Sequence, residues 1–148
     1  MLKPILHATL IAGILDILAA AAMTIAYDRP VDGMLRFVAS GPFPPAPGWG
    51  TGGAILGLLV HFALMAIMVA VYFQAAQRMP QLVAEPVKWG VLYGIATYLV
   101  MTFAVLLARF GVYPTTARQI LPQLGCHIFL VGLPIALVAA RALRSRLA

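Results

Sequence analysis

Four apolar stretches dominate this sequence, each of about 20 residues, the length at which a helix spans a bilayer. At ~1.5 Å per residue, each stretch can cross the ~30 Å hydrocarbon core. Charged residues make up 9% of the chain, whereas a soluble domain carries about 25%. The chain therefore lacks the solvated groups that a soluble enzyme or a disordered regulator needs. We predict an all-α integral membrane protein.

The spacing of the apolar stretches predicts one membrane domain over residues 1–148, built as a four-helix bundle. The predicted helices cover residues 5–27, 52–73, 89–109 and 124–140. Each of the two outer loops contains a short stretch that fits an interfacial helix, residues 30–40 and the segment from Thr115 or Thr116 to residue 121. Prolines and glycines at 41–53 argue against a regular helix there. Pro134 is expected to bend the last helix.

The cationic residues lie almost entirely between or just outside the apolar stretches, ten Lys and Arg against four Asp and Glu. Six fall on the side of both termini: Lys3, Arg78, Lys88, Arg141, Arg144 and Arg146. Four fall on the other side: Arg29, Arg36, Arg109 and Arg118. Because cytoplasmic loops carry the excess of Lys and Arg, we expect both termini to be cytoplasmic. No basic run is interleaved with aromatic residues, so nucleic-acid binding is not expected.

Small residues define the faces through which the helices are expected to pack, since membrane helices approach each other at small side chains. The third predicted helix has a small-xxx-small step from Gly90 to Gly94. The first has a face of five residues at spacings of three and four: Thr9, Gly13, Asp16, Ala20 and Thr24. A carboxylate therefore lies within a packing face.

Asp16 lies near the middle of the first predicted helix, and an ionised carboxylate there costs at least ~2.5–3.5 kcal/mol. It must be protonated, paired or hydrated. We expect it to pair with His61, at similar depth on the second helix, with Thr97 and Tyr98 as further hydrogen-bond donors. Two interpretations stay open. The pair handles protons or cations, or it is a buried hydrogen bond that fixes helix register.

Two arginines at the predicted outer edge, Arg36 and Arg109, are candidates for contacts with an anion or a lipid phosphate. Snorkelling anchors are the alternative. We predict no metal and no cofactor, because His61 and His127 differ in predicted depth by about 9 Å, too much for two axial ligands of one haem. The single Cys126 cannot form an internal disulfide. No nucleophile, phosphate-loop or HExxH motif is present, so we expect no enzymatic activity.

Five segments carry a resemblance to a known family: residues 10–18 (LIAGILDIL), 34–41 (MLRFVASG), 57–62 (GLLVHF), 90–94 (GVLYG) and 126–137 (CHIFLVGLPIAL). Together they resemble small uncharacterised bacterial inner-membrane proteins of the YagU-like kind. The resemblance implies a bacterial inner-membrane protein with four helices. It assigns no catalytic or ligand residue.

Two functions are compatible with these observations. The first is a non-enzymatic inner-membrane protein, acting as an accessory or structural subunit or as a membrane-integrity factor. Its partners would be membrane lipids and either further copies of itself or a larger membrane complex. The alternative is a small proton-coupled transporter or channel with Asp16 and His61 at its centre. The predicted inner half is nearly all apolar, which favours the first.

Overall fold

The chain is helical and has no strand over residues 2–147, the part that the computed structural model describes. The side chains of residues 104, 105, 108 and 145–147, Arg146 included, lie outside that description. The helices are α1 (Leu2–Ala26), α2 (Val31–Ser40), α3 (Gly50–Arg78), α4 (Pro80–Ala84), α5 (Pro86–Val100), α6 (Ala108–Phe110), α7 (Ala117–Cys126) and α8 (Leu133–Leu147). The prediction of an all-α chain is confirmed.

Two π-helical stretches join these helices into longer ones. Met101–Leu107 connects α5 to α6, and we call this continuous unit the third long helix. His127–Gly132 connects α7 to α8, and this unit is the fourth long helix. Just after the second stretch, Pro134 lacks a backbone N–H. The N–H of Leu133 bonds the carbonyl of Ile128, five residues back instead of four. The hydrogen-bond pattern of the helix therefore changes next to Pro134, where the bend was predicted.

Three helices of the described chain are long and apolar enough to cross a membrane by length and composition. They are Leu2–Ala26, Ala46–Arg78 and Ala117–Arg144. The third long helix is not among them.

The predicted inner loop, residues 74–88, is wrong in detail because most of it is helical. The helix α3 continues to Arg78, past the predicted end at residue 73. The residues after Phe73 are mainly good helix formers, so the helix outlasts the apolar stretch. Pro80 and Pro86 then lie at the first positions of α4 and α5, where their missing N–H groups have no helical partner to lose.

The outer loops also differ from prediction. The first short helix is present as α2, but the segment predicted to be irregular holds a 3₁₀ turn (Ala46–Trp49) and the start of α3 at Gly50. The second predicted short helix is not a separate helix. It is the beginning of α7, which continues without a break through His127–Gly132 into α8. The predicted cap is confirmed: Thr116 and Gln119 form a reciprocal capping box at the start of α7.

The helices α1 and α3 and the fourth long helix pack around a shared core in the half of the bundle that holds both termini. Its fully buried larger members are Val69, Tyr72, Phe73, Val131 and Ile135. The third long helix packs mainly on the fourth. The short helix α2 packs on the N-terminal half of α3, where Gly57 lies directly against the Leu35 carbonyl.

The third and fourth long helices touch backbone to backbone at three glycines. A Cβ added to Gly94 would lie 2.5 Å from both the His127 oxygen and the Ile128 Cα. A Cβ added to Gly132 would overlap the Gly90 carbonyl. The predicted step from Gly90 to Gly94 therefore lies at a contact that only residues without a side chain can make.

We predict that Gly132→Ala and Gly94→Ala each lower the free energy of unfolding by about 1–3 kcal/mol, because the new methyl group overpacks a backbone contact. Unfolding by SDS in mixed detergent micelles measures this. The matched control is Gly125→Ala on the same long helix, since a Cβ there meets nothing within 4 Å. Equal losses at Gly125 and Gly132 would contradict the contact.

Candidate functional site

His61 reaches from α3 to the backbone of α1. Its Nε2 lies 2.9 Å from the carbonyl oxygen of Gly13. A carbonyl oxygen only accepts, so Nε2 carries a hydrogen and donates it. In the neutral imidazole the other nitrogen, Nδ1, then has a lone pair and can accept a proton. The contact with Gly13 thus selects the tautomer of His61.

Asp16 faces the nitrogen that this tautomer leaves free. Its Oδ2 lies 3.9 Å from Nδ1 of His61. The separation exceeds a direct hydrogen bond, so a small side-chain rotation or a bridging water is needed to complete the contact. The geometry therefore places a carboxyl group beside the ring nitrogen of His61 that is not committed to Gly13.

The pair lies in the contact between α1 and α3. The Phe62 ring covers Gly13 and meets the His61 ring edge-on, with centroids 5.3 Å apart. The side chains of His61 and Asp16 are 12% and 21% exposed, so the pair is largely enclosed by protein. Over the described residues, no group of three or more His, Cys, Asp and Glu could hold a metal ion.

Thr97 and Tyr98 are buried elsewhere. The Thr97 hydroxyl donates to the Gly94 carbonyl one turn back, at 3.0 Å. The Tyr98 ring packs edge-on against the His127 ring, with centroids 5.7 Å apart. Both residues lie in the contact between the third and fourth long helices, whereas the pair is made by α1 and α3. The structure therefore does not bring these two predicted donors to Asp16.

Arg36 is engaged within α2. Its Nη1 donates to Oδ2 of Asp32, one turn earlier. This hydrogen bond lowers the pKa of the Asp32 carboxyl below its usual range, so the carboxylate stays ionised at neutral pH. Asp32 consequently neutralises much of the charge that Arg36 would offer to an anion.

Arg109 closes the C-terminal end of α2. Its Nε donates to the Gly41 carbonyl at 2.9 Å, and its Nη2 to the Ser40 carbonyl at 3.4 Å. A cation at a helix C-terminus satisfies orphan carbonyls and complements the helix dipole. Beside it, the Phe110 ring stacks on Phe37 with centroids 4.6 Å apart. The predicted anion contact is thus a link between the third long helix and α2.

Two interactions were missed by sequence reasoning. Arg144, taken only as a marker of topology, donates to the Val83 carbonyl at 3.0 Å and so caps α4. The Tyr93 hydroxyl donates to the Met68 carbonyl of α3 at 2.6 Å. Both acceptors are backbone carbonyls, which leave no signal in the sequence.

No protein-family model, curated protein or solved structure matches the chain. The YagU-like resemblance therefore stays a prediction, and the functional argument rests on the geometry above.

We predict that Asp16 and His61 stabilise each other by about 1 kcal/mol, the upper part of the range for polar contacts between membrane helices. A double-mutant cycle with Asp16→Leu, His61→Leu and the double variant measures this coupling in SDS unfolding. The control pair is Asp16→Leu with Thr97→Val, for which we expect no coupling. Additive losses for Asp16 and His61 would show that the two side chains do not interact.

Proposed function

We propose that the protein is a non-enzymatic, multi-pass protein of the bacterial inner membrane that acts as an accessory or structural subunit or as a membrane-integrity factor. In this proposal all four long helices span the membrane and both termini are cytoplasmic. The observation that carries it is the outward-facing apolar surface of the long helices, which suits lipid and not water.

That surface extends over every long helix. Its strongly exposed side chains include Leu10, Leu18, Ile55, Leu59, Ile67, Leu99, Val100, Phe103 and Phe129. The third long helix also has an apolar outer surface, because Leu99, Val100 and Phe103 are exposed on it. Twenty-five residues from Pro86 to Phe110 in continuous helical structure supply enough length to span the hydrocarbon. This supports four spans, the third long helix in addition to the three apolar helices found among the described residues.

Labelling of single cysteines tests the four spans and their orientation. In a Cys126→Ala background, Thr115→Cys lies after the third long helix and Glu85→Cys just before it. We expect a membrane-impermeant maleimide to label Thr115→Cys in intact spheroplasts, and to label Glu85→Cys only after permeabilisation.

Arg29→Cys, in the first outer loop, serves as the control for the outer side and should react like Thr115→Cys. If Thr115→Cys and Glu85→Cys react alike, the third long helix does not span the membrane. If the accessibility of every site is reversed, the termini lie outside.

Self-association is part of this proposal. The Asp16 side chain is 21% exposed near the middle of α1, the part of the helix that hydrocarbon would surround in a single copy. Because an ionised carboxylate in hydrocarbon is costly, a second copy or a partner subunit that covers this side would stabilise the pair.

A second candidate function is a small proton-coupled transporter or channel, and the specific observation in its favour is the geometry of the pair. Nε2 of His61 is committed to Gly13, and Nδ1 faces the Asp16 carboxyl. Such a pair can take up and release one proton without breaking the contact between α1 and α3.

Proton flux into liposomes, followed with an enclosed pH-sensitive dye, separates the two functions. If the pair carries protons, wild type dissipates a pH gradient, and Asp16→Asn lowers the rate at least about tenfold because it removes the titrating group. The matched control is Asp32→Asn, which alters an exposed carboxylate on α2. The absence of flux above empty liposomes would exclude the transporter and leave the accessory role.

A further inference from the structure

A narrow groove separates α3 from α5 in the half of the bundle that holds both termini. Val71 and Ala75 of α3 form one wall, and Leu92 and Ala96 of α5 form the other. The groove has a volume of about 280 Å³. A space of this volume, with apolar residues along both walls, is of the size that part of one acyl chain occupies.

The groove exists because the third long helix packs on the fourth and meets α3 through aromatic side chains. The rings of Tyr72 and Tyr93 lie 4.9 Å apart, inclined at 65°. The Tyr93 hydroxyl then bonds the Met68 carbonyl. Two rings placed between the helices keep their backbones apart, so a channel stays open beside them.

The groove opens towards the side of the bundle. Val71 and Leu92 are 54% and 46% exposed, while Tyr72, against which they lie, is buried. In the proposed membrane topology this side faces the cytoplasmic leaflet. The space beside the tyrosines is then accessible to acyl chains and closed to the aqueous phase.

The end of the groove nearest the termini is cationic. Arg78 ends α3 next to Met79, a lining residue. Lys88 Nζ lies 5.8 Å from the centre of the ring of Trp89, another lining residue, and 3.0 Å from a carboxylate oxygen of Glu85. Glu85 neutralises much of the charge of Lys88, so Arg78 is the main cation of this rim. Six cationic residues and one acidic residue belong to this side of the sequence. An apolar channel that ends at such a rim complements an anionic amphiphile.

We propose that this groove binds one acyl chain of an anionic phospholipid and that Arg78 binds its phosphate. The proposal rests on the four-span topology proposed above. Phospholipid is favoured over a peptide because the groove is apolar along its walls and offers no strand edge or row of backbone donors to pair with an extended chain.

The two tryptophans of the chain provide the test. In a Trp49→Phe background, Trp89 is the only tryptophan and lines the groove. The protein is placed in vesicles of equal parts phosphatidylcholine and phosphatidylglycerol, with bromine on the acyl chains of one lipid at a time. Brominated chains quench a tryptophan that they touch. We expect an association constant about fivefold higher for phosphatidylglycerol, which corresponds to ~1 kcal/mol for one cation near a lipid headgroup.

Two variants distinguish the contribution of the cationic rim from that of the apolar walls. Arg78→Gln with Lys88→Gln should abolish the preference for phosphatidylglycerol and leave quenching by phosphatidylcholine unchanged. Ala96→Phe should fill the groove and reduce quenching by both lipids. Ala63→Phe, at an exposed alanine of α3 outside the groove, is the matched control and should leave quenching unchanged.

Equal quenching by both lipids, unaffected by the rim substitutions, would overturn the anionic site. Equal effects of Ala96→Phe and Ala63→Phe would overturn the groove. Absence of quenching at Trp89, while Trp49 is quenched in a Trp89→Phe variant, would show that protein covers the groove. None of these outcomes alters the cysteine labelling, so failure of this proposal is distinguishable from failure of the membrane topology.

Discussion

The backbone contact of Gly94 and Gly132 sets the position of the third long helix in the bundle. It draws the third long helix against the fourth, and small residues are what allows membrane helices to approach so closely. With the third long helix held there, α1 and α3 are left to pack on each other. The pairing of Asp16 with His61 and the groove beside Tyr93 both follow from this division.

Arginines at both ends of the bundle complete the structure by binding backbone carbonyls. Arg109 caps α2 and Arg144 caps α4, each from a long helix distant in sequence. Short helices have many orphan carbonyls for their length, and these are costly to leave unpaired in an apolar environment. Two of the arginines from which the orientation was predicted therefore also hold the connecting helices against the bundle.

Much of this architecture could be predicted from the sequence, because hydropathy and the spacing of small residues are local signals. The helical class, the cap at Thr116 and the approach of Asp16 to His61 follow from such patterns. The ends of the helices could not be predicted from these patterns, since α3 continues beyond its apolar stretch to Arg78. The surroundings of Thr97 could not be predicted either, because they depend on which helix packs against the third long helix, and that contact is not local in sequence. Contacts to carbonyls, such as that of His61 with Gly13, have no signal in the sequence.

The tautomer of His61 connects the packing of the bundle to its candidate chemistry. Donation from Nε2 to Gly13 fixes helix register and at the same time directs the basic nitrogen towards Asp16. A purely structural histidine needs only the first contact. The second places the ring nitrogen that Gly13 does not use opposite a carboxyl group, in a pair whose side chains are 12% and 21% exposed. One side chain of α3 therefore contributes both to the packing against α1 and to the surroundings of Asp16, so any change in the contact of the two helices also changes the polar pair.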